Sequence, residues 1–468
     1  MNETLENGSV STSELQNLQK ALSVGYEHGV TDQTGFGATR LQSIEKTLKW
    51  AVEDEKQSKF WLALRKSKAE STVEEYTKFN SLGDASFYVE GGIPEEYNEG
   101  ISREFEMVKY IGAVGQIPLV ALSVKSQTNN EALVMKAKAT AIIRACNLKS
   151  IFGNSNNISI EWNGYVEQFL RKVKNPAQNT FDLRGRVLSP ENMADAAQVI
   201  ADNWGDSNNL KFWISNGAFK NYAKELIKNK TYFVNGKSVN EIVAVPKTLD
   251  IGDNGAGHIE TEKHLKFRGQ TNINDLWPRL NSNSSALAAT STKAPATLSS
   301  GTAIATVTTD AASLLDANTY DYCFIPVNAY GAGAGFEVKG VVVAANKNVT
   351  FTLSDNGSTT GYEASCFEVY RKNASALSLT DYRFLATYAA SAAKVDNGAD
   401  IPGTEIGLFI DWNPDQVIDF KQLLPMVRMD LATISDSKRW LQKYYGTPLL
   451  YNANKMVLFK NIGSTPLS

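Results

Sequence analysis

Residues 281–405 read as a separate polypeptide set inside a longer one. All 8 Trp and all 7 Met lie outside this stretch, and within its 125 residues Lys plus Arg falls to 7. Ala, Ser, Thr, Gly and Val dominate there. On either side the chain is charged, carries Trp and shows mixed helix and strand patterns. A β-rich module interrupting an α/β host limits the fold more than any short motif in the chain. It points to a protein that displays a surface and away from a compact cytosolic enzyme.

The 468 residues suffice for two or three domains. Hydrophobic residues make up 43% and charged residues 21%, which is ordinary for a folded chain. The formal net charge of −3, from 47 basic and 50 acidic residues, argues against a dedicated polyanion binder. Neutralising phosphates needs an excess of Lys and Arg. Cys146, Cys323 and Cys366 are too few and too scattered for a disulfide framework or a zinc site. Cys323 and Cys366 could meet across strands; the ordinary reading is two half-buried thiols. The opening Met1-Asn2-Glu3-Thr4-Leu5-Glu6 is polar and acidic, unlike a signal peptide. The longest uncharged apolar stretch, 110–124, contains Gln116 and Pro118. It falls short of the roughly 20 apolar residues that span a membrane. Synthesis and folding in a cytoplasm are expected, with no membrane partner.

The first 40 or so residues carry no apolar period and read as an arm, followed by a short helix with Leu41, Ile44, Leu48 and Val52 on one face. Residues 60–105 alternate short strand-like pieces with Gly and Pro breaks, as in Glu90-Gly91-Gly92-Ile93-Pro94. This suits a long two-stranded loop. An isolated hairpin is marginal in water, so such a loop implies a partner surface; the alternative is an ordinary surface hairpin. Residues 102–124 read as strand. Asn129 and Asn130 cap the strongest helix, whose face runs Val134, Ala137, Ala141, Ala145, Leu148 and Phe152 before Gly153 stops it. Ser189-Pro190-Glu191 starts another helix, with Met193, Ala197, Ile200 and Trp204 as its buried stripe. Leu210, Phe212 and Ile214 alternate as a strand. Phe219, Tyr222 or Ala223, and Leu226 form the next helix. Helix, strand and helix within about 40 residues make a compact α/β subdomain.

In the insert, short strands are expected at 320–325, 336–343, 349–353, 367–371 and 382–388. Turn signals separate them at the spacing of a sandwich. Residues 281–301 read as a flexible lead-in. Closing strands follow at 449–451 and 456–459.

Candidate chemistry is thin. His258-Ile259-Glu260-Thr261-Glu262-Lys263-His264 holds two of the three His. Their spacing of six is poor for one helix face, where zinc hydrolases place theirs one turn apart. On a strand, His258, Glu260, Glu262 and His264 would share one side, and a solvated polar face is the default. Gly236-Lys237-Ser238 lacks the Gly five positions earlier that a phosphate loop requires. Gly331-Ala332-Gly333-Ala334-Gly335 has the wrong spacing for a dinucleotide turn. No nucleophile elbow is present. No catalytic, cofactor-binding or metal-ligating residue is assigned, and no cofactor is expected.

The order of parts carries the remaining signal: arm, loop with Glu90-Gly91-Gly92-Ile93-Pro94, strand, long helix ending at Gly153-Asn154-Ser155, α/β subdomain, β insert, then closing strands with Tyr444-Tyr445-Gly446-Thr447-Pro448 and Asn461-Ile462-Gly463. This order resembles the major capsid proteins of tailed bacteriophages. The resemblance implies an α+β fold of the Hong Kong 97 type, with N-terminal arm, extended loop, peripheral and axial domains, and an all-β sandwich insertion that is immunoglobulin-like or fibronectin-like. Carried onto this sequence, it puts the arm at 1–60, the extended loop at 61–101 and the peripheral domain with its spine helix at 102–181. The axial domain and return to the peripheral domain take 182–280, the insertion 281–405 and the closing segment 406–468.

The function so implied is self-assembly as hexamers and pentamers into an icosahedral head. That head encloses double-stranded DNA without reading its sequence, in a virion assembled in the host cytoplasm. Portal, scaffold and decoration proteins are the implied partners. Some relatives cross-link through a loop Lys and an Asn, but nothing selects Lys66, Lys68 or Lys78, and no cross-link is assigned. The insert is expected on the outer face, where removing 281–403 still leaves particles able to form. Three alternatives stand beside this reading. They are an encapsulin-type compartment, a metal-dependent hydrolase using His258 and His264 with a β-sandwich binding module, and a phage tail or adhesin protein.

Overall fold

The structure is a computed structural model. It describes residues 55–81, 83–124, 129–206, 209–228, 248–250, 256–268, 270, 289, 291–298, 305–355, 357–375, 382–390, 394–432 and 436–463. The arm up to 54, the helix of Leu41, Ile44, Leu48 and Val52, the triplet Gly236-Lys237-Ser238 and most of 281–301 lie outside these residues.

The described chain begins inside the core. Helix α1 (Lys59–Ala63) buries Phe60 and Trp61. The Phe60 ring meets Tyr165, Trp213 and Trp412 edge-on at 5.7, 5.1 and 5.6 Å between centroids. Residues 61–69 are therefore body and not loop: Trp61, Leu64 and Ala69 are all buried. Strand β1 (Lys66–Lys68) follows, then the hairpin pair β2 (Val73–Ser81) and β3 (Gly100–Met107). Strand β4 (Lys109–Pro118) leads through the short α2 (Leu119–Ser123) to the long α3 (Asn130–Phe152). Asn129 caps α3 by accepting from the backbone N–H of Glu131 and Ala132.

The Ala stripe read from sequence is not the buried face of α3. Ala137 and Ala141 are exposed, whereas Thr140, Ile142, Cys146, Asn147, Leu148, Ser150 and Ile151 are buried. Burial runs along the axis: the first half of the helix rides outside and the second half sinks into the body on most sides. Ala is indifferent to either environment, so its spacing carried no orientation.

Two short helices, α4 (Tyr165–Lys172) and α5 (Pro176–Asn179), precede the three-residue β5 (Thr180–Asp182). Helix α6 (Pro190–Asp202) starts as its sequence dictates, with Pro190 in the first turn and the Ser189 hydroxyl accepting from Asn192 N. Its buried face is Met193, Ala196, Ala197 and Ile200. Trp204 does not extend that face. It is 89% exposed, at a φ of 59°. A left-handed residue at the helix end swings the side chain off the stripe. Strand β6 (Leu210–Ile214) leads into α7 (Asn216–Lys228), where Ser215 Oγ accepts from Ala218 N and Ala218, Tyr222 and Leu226 are buried. The short β7 (Thr248–Asp250) and β8 (Ala256–Thr261) complete this region.

The insert holds β9 (Ala305–Thr309), β10 (Asn318–Asn328), β11 (Gly331–Ala332), β12 (Phe336–Val343), β13 (Lys347–Phe351), β14 (Cys366–Asn373), β15 (Arg383–Ala389) and β16 (Lys394–Asp396). They form two sheets, ordered β11-β10-β14-β15 with β12 on β10, and β16-β13-β9. The strand expected at 320–325 forms as part of β10, with both of its faces covered. Tyr322 and Phe324 meet Phe351 of the opposite sheet at 5.1 and 5.2 Å. Cys323, Ile325 and Val327 point the other way, into a cluster with Cys366, Tyr370, Phe384 and Ile158 of the host. Cys323 lies opposite Tyr370 and Cys366 opposite Val327, so the two thiols are offset along the ladder; neither is in a disulfide, and both are buried. Part of the lead-in is packed: Leu298 is buried in the sandwich core, and Ala296 N donates to Ser358 Oγ at 2.8 Å.

Four more strands close the chain: β17 (Glu405–Asp411), β18 (Ile418–Asp430), β19 (Ser437–Leu450) and β20 (Met456–Ile462). They unite the host in two sheets, β1-β18-β19-β4 and β5-β20-β17-β6-β8-β7. Strand β6 shows why they share a core. Leu210, Phe212 and Ile214 face the α6–α7 side, and Trp213 faces the cluster that holds Phe60.

Candidate functional site

Three places in the described fold concentrate uncovered or charged groups. The first is the β2–β3 hairpin. Its register pairs Val73 with Met107, Glu75 with Phe105 and Phe79 with Ile101. Facing residues in an antiparallel pair share a side, so Phe79, Ile101, Phe105 and Met107 lie on one face, which the Arg103–Glu75 ion pair at 3.2 Å crosses. Each of these four apolar residues is more than half exposed. Beyond the ladder, Phe87, Tyr88, Val89 and Ile93 are exposed too. There the chain turns at Val89-Glu90-Gly91-Gly92, with Gly92 N donating to Val89 O at 2.8 Å. Gly91 supplies the positive φ of 82° that this turn requires.

The opposite face of the hairpin is tied to the body by charge. Lys172 Nζ lies 3.0 Å from Glu106 Oε1 and 3.0 Å from the Tyr76 hydroxyl, and Arg171 also pairs with Glu106. The Tyr76 hydroxyl sits 2.6 Å from Glu104 Oε2 and 3.1 Å from Leu450 O. Burial, then the Glu104 carboxylate beside it, push the Tyr76 phenol well above its ordinary pKa and keep its proton in place. The hairpin is thus clamped at its base and bare along its outer side.

The second place is where the sequence puts its His pair. β8 ends at Thr261, so the four-residue polar face expected there does not form. His258 is exposed on the strand and Glu260 half-buried. Glu262 instead caps the 3₁₀ turn Lys263–Phe267, and both it and His264 are fully buried. Glu262 Oε2 accepts from Phe60 N at 2.8 Å. Its Oε1 accepts from Asn147 Nδ2 at 3.0 Å and lies 3.0 Å from His264 Nδ1. Asn147 Oδ1 accepts from Trp61 N at 2.8 Å. Buried polar atoms of three segments satisfy one another here, which is a structural latch. Among the described residues no group of three or more His, Cys, Asp or Glu is placed to hold a metal ion.

The third place is the seam between sandwich and body. Arg268 donates to Asp400 Oδ1 at 2.8 Å, Ile401 O at 2.6 Å and Thr404 Oγ1 at 3.1 Å. Gln270 Nε2 reaches the Tyr370 hydroxyl at 3.1 Å, and Asn461 Nδ2 reaches Ala399 O at 2.8 Å. A cleft of about 220 Å³ opens along this seam, lined by Phe152, Glu167, Leu385 and Lys460 among others.

No family model matches the chain, and no curated protein matches it. Solved structures similar to it include capsids and an encapsulin shell. The chain is similar to the capsid of an empty GTA particle at 8% identity and a TM-score of 0.48, covering 91% of this chain and 96% of that one. It is similar to the capsid of Cyanophage P-SCSP1u at 10% identity and a TM-score of 0.44, covering 92% and 96%. It is also similar to the holo encapsulin complex of Synechococcus elongatus at 8% identity and a TM-score of 0.41, covering 90% and 94%. No residue role is carried over from these chains.

Sequence reasoning missed the latch and the seam. Asn147 sits mid-helix, where an amide is a poor helix former, and that was a usable signal. The seam left none, because Arg268, Ile158 and Asn461 are far apart in the chain. None of the described helices is long and apolar enough to cross a membrane.

Proposed function

We propose that this chain is a subunit of a closed protein shell, built as the major capsid protein of a tailed phage is built. The observation that carries the reading is the outer side of the β2–β3 hairpin. Phe79, Phe87, Val89, Ile93, Ile101, Phe105 and Met107 lie on the hairpin and its tip, each more than half exposed among the described residues. Soluble monomers rarely leave contiguous apolar surface of this kind. Sister copies supply the cover when each hairpin lies over its neighbour. Permanent assemblies bury about 2,000 Å² or more per interface. Head-to-tail contacts that close by rotation give rings, which become the hexamers and pentamers of a head.

In this reading 70–101, the part of the expected 61–101 that lies beyond the buried Trp61, Leu64 and Ala69, acts as the extended loop, 102–181 and 182–280 as peripheral and axial domains, and 281–405 as an immunoglobulin-like insertion on the outer face. The net charge of −3 suits a wall that surrounds DNA without gripping it. Portal, scaffold and decoration proteins would complete the particle.

Size-exclusion chromatography and negative-stain microscopy of the protein expressed alone test the proposal. Closed particles or capsomer rings are expected. A compact monomer at high concentration, with hairpin amides already protected from exchange, would overturn it. Extracting the particle contents separates a DNA-filled head from an encapsulin-type compartment, which would yield a cargo protein.

A further inference from the structure

Strand β4 is ten residues long and, among the described residues, pairs on one side only, with β19. Its sequence, Lys109-Tyr110-Ile111-Gly112-Ala113-Val114-Gly115-Gln116-Ile117-Pro118, has no charged side chain after Lys109. An edge of this kind is a template for another strand: every second residue directs its N–H and C=O outward, and nothing repels a partner.

The other open edges among the described residues differ. β1, β5, β7 and β16 have three residues each. β2, β3, β12 and β15 carry charges, such as Glu75, Arg103, Glu337 and Arg383. β9 has five residues, three of them Thr. The strand best matched to β4 in length and neutrality is therefore β4 itself.

We infer that β4 pairs antiparallel, across a two-fold axis, with β4 of a second copy. The faces agree under this operation. Ile111, Ala113 and Ile117 are turned to the helix-covered side, and Tyr110 and Val114 are exposed on the other. A two-fold axis normal to the sheet sets like face beside like face. Pro118 falls at the end of the ladder, where its missing N–H breaks no bond. The product is one eight-stranded sheet whose outer edges are the two three-residue β1 strands, so the contact closes on itself and cannot propagate into a fibre. The pairing goes beyond the shell reading and does not require it.

The test replaces Tyr110 with p-benzoyl-phenylalanine, irradiates the protein at high concentration and maps the adducts. It also follows amide exchange in β4 of the unmodified protein on dilution, and compares Val114→Lys. Expected are adducts within 109–118 of another copy, together with β4 protection that falls on dilution and is lost in the variant. The amides of Phe212 and Trp213 in β6 serve as the internal reference. If they too lose protection in Val114→Lys, the variant has unfolded, and cross-linking and dilution decide alone. Adducts elsewhere, for instance at Phe87 or Ile93 of a neighbour, overturn the pairing. So does the absence of any adduct, or protection that ignores concentration. Particles with adducts elsewhere would sink the pairing and spare the shell; a β4-linked pair that never forms particles would do the reverse.

Discussion

Glu262 collects donors that would otherwise be stranded. Phe60 N, Asn147 Nδ2 and His264 N all reach its carboxylate, in a site with no water access. Replacing it by Ala leaves Phe60 N buried without its acceptor and Asn147 Nδ2 with only His264 Nδ1 at 2.6 Å, at a cost on the order of 3 kcal/mol. Urea denaturation should show that loss, and Glu262→Gln should lose less because it keeps acceptor oxygen in place. An unchanged midpoint for Glu262→Ala would show that the latch holds nothing. Trp204 shows the limit of reading at this scale. Its spacing from Met193, Ala197 and Ile200 is that of a buried stripe, and the stripe is real up to Ile200. One left-handed φ then separates the residue from its pattern, and periodicity cannot register a single dihedral. Gly115 is similar: a Cβ there would stand 2.4 Å from the Trp440 ring, a contact between strands 325 residues apart that no local window contains.

Elements were more legible than faces. The starts of α3 and α6 were visible because caps are local chemistry, with Asn129 and Ser189 each bonding a backbone N–H two or three residues on. The sandwich strands were visible because alternation and turn residues are local as well. The buried side of α3 was not, since it depends on what the closing strands bring to it. Its first turn is held by Glu131, which takes Lys438 Nζ at 2.8 Å and Arg428 Nη2 at 2.7 Å from β19 and β18. Hydrogen bonds from Lys438 and then Arg428 hold the Glu131 carboxyl below its ordinary value. A lowered folded pKa means that stability is present in full above the unfolded value and is lost as pH falls through the folded one. The stability difference between the native protein and Glu131→Gln should thus be level near neutrality and shrink toward zero below about pH 4. The site is solvent-accessible, so the difference should be small and should also weaken with salt. A difference that grows in acid would contradict the pairing.

For the whole molecule, the two sheets between Ala305 and Asp396 lie within the 281–405 that the composition break marks off. What composition could not show is how the insert sits. A decoration on a flexible lead-in, whose removal still leaves particles able to form, was the expectation. The structure adds a seam to that tether. Ile158 of the host is 4% exposed, in a cluster otherwise made by the sandwich, and Arg268 spends its guanidinium on Asp400, Ile401 and Thr404. Removing 281–403 therefore uncovers Ile158 and strands Arg268. The shortened chain should melt lower than the full one by several degrees, as a loss of about 1–3 kcal/mol implies for a body this size. Adding Ile158→Ser and Arg268→Ser to it should recover part of the loss in soluble yield. Equal melting temperatures for the full and shortened chains would restore the tether.

All three thiols lie inside the fold, and burial raises the pKa of both Cys146 and Cys366. To a maleimide the folded exterior is therefore blank. A cysteine introduced at an exposed turn residue such as Thr360 would be the sole reactive handle per copy. Dyes or gold attached there would report how many subunits are present and which way the sandwich points.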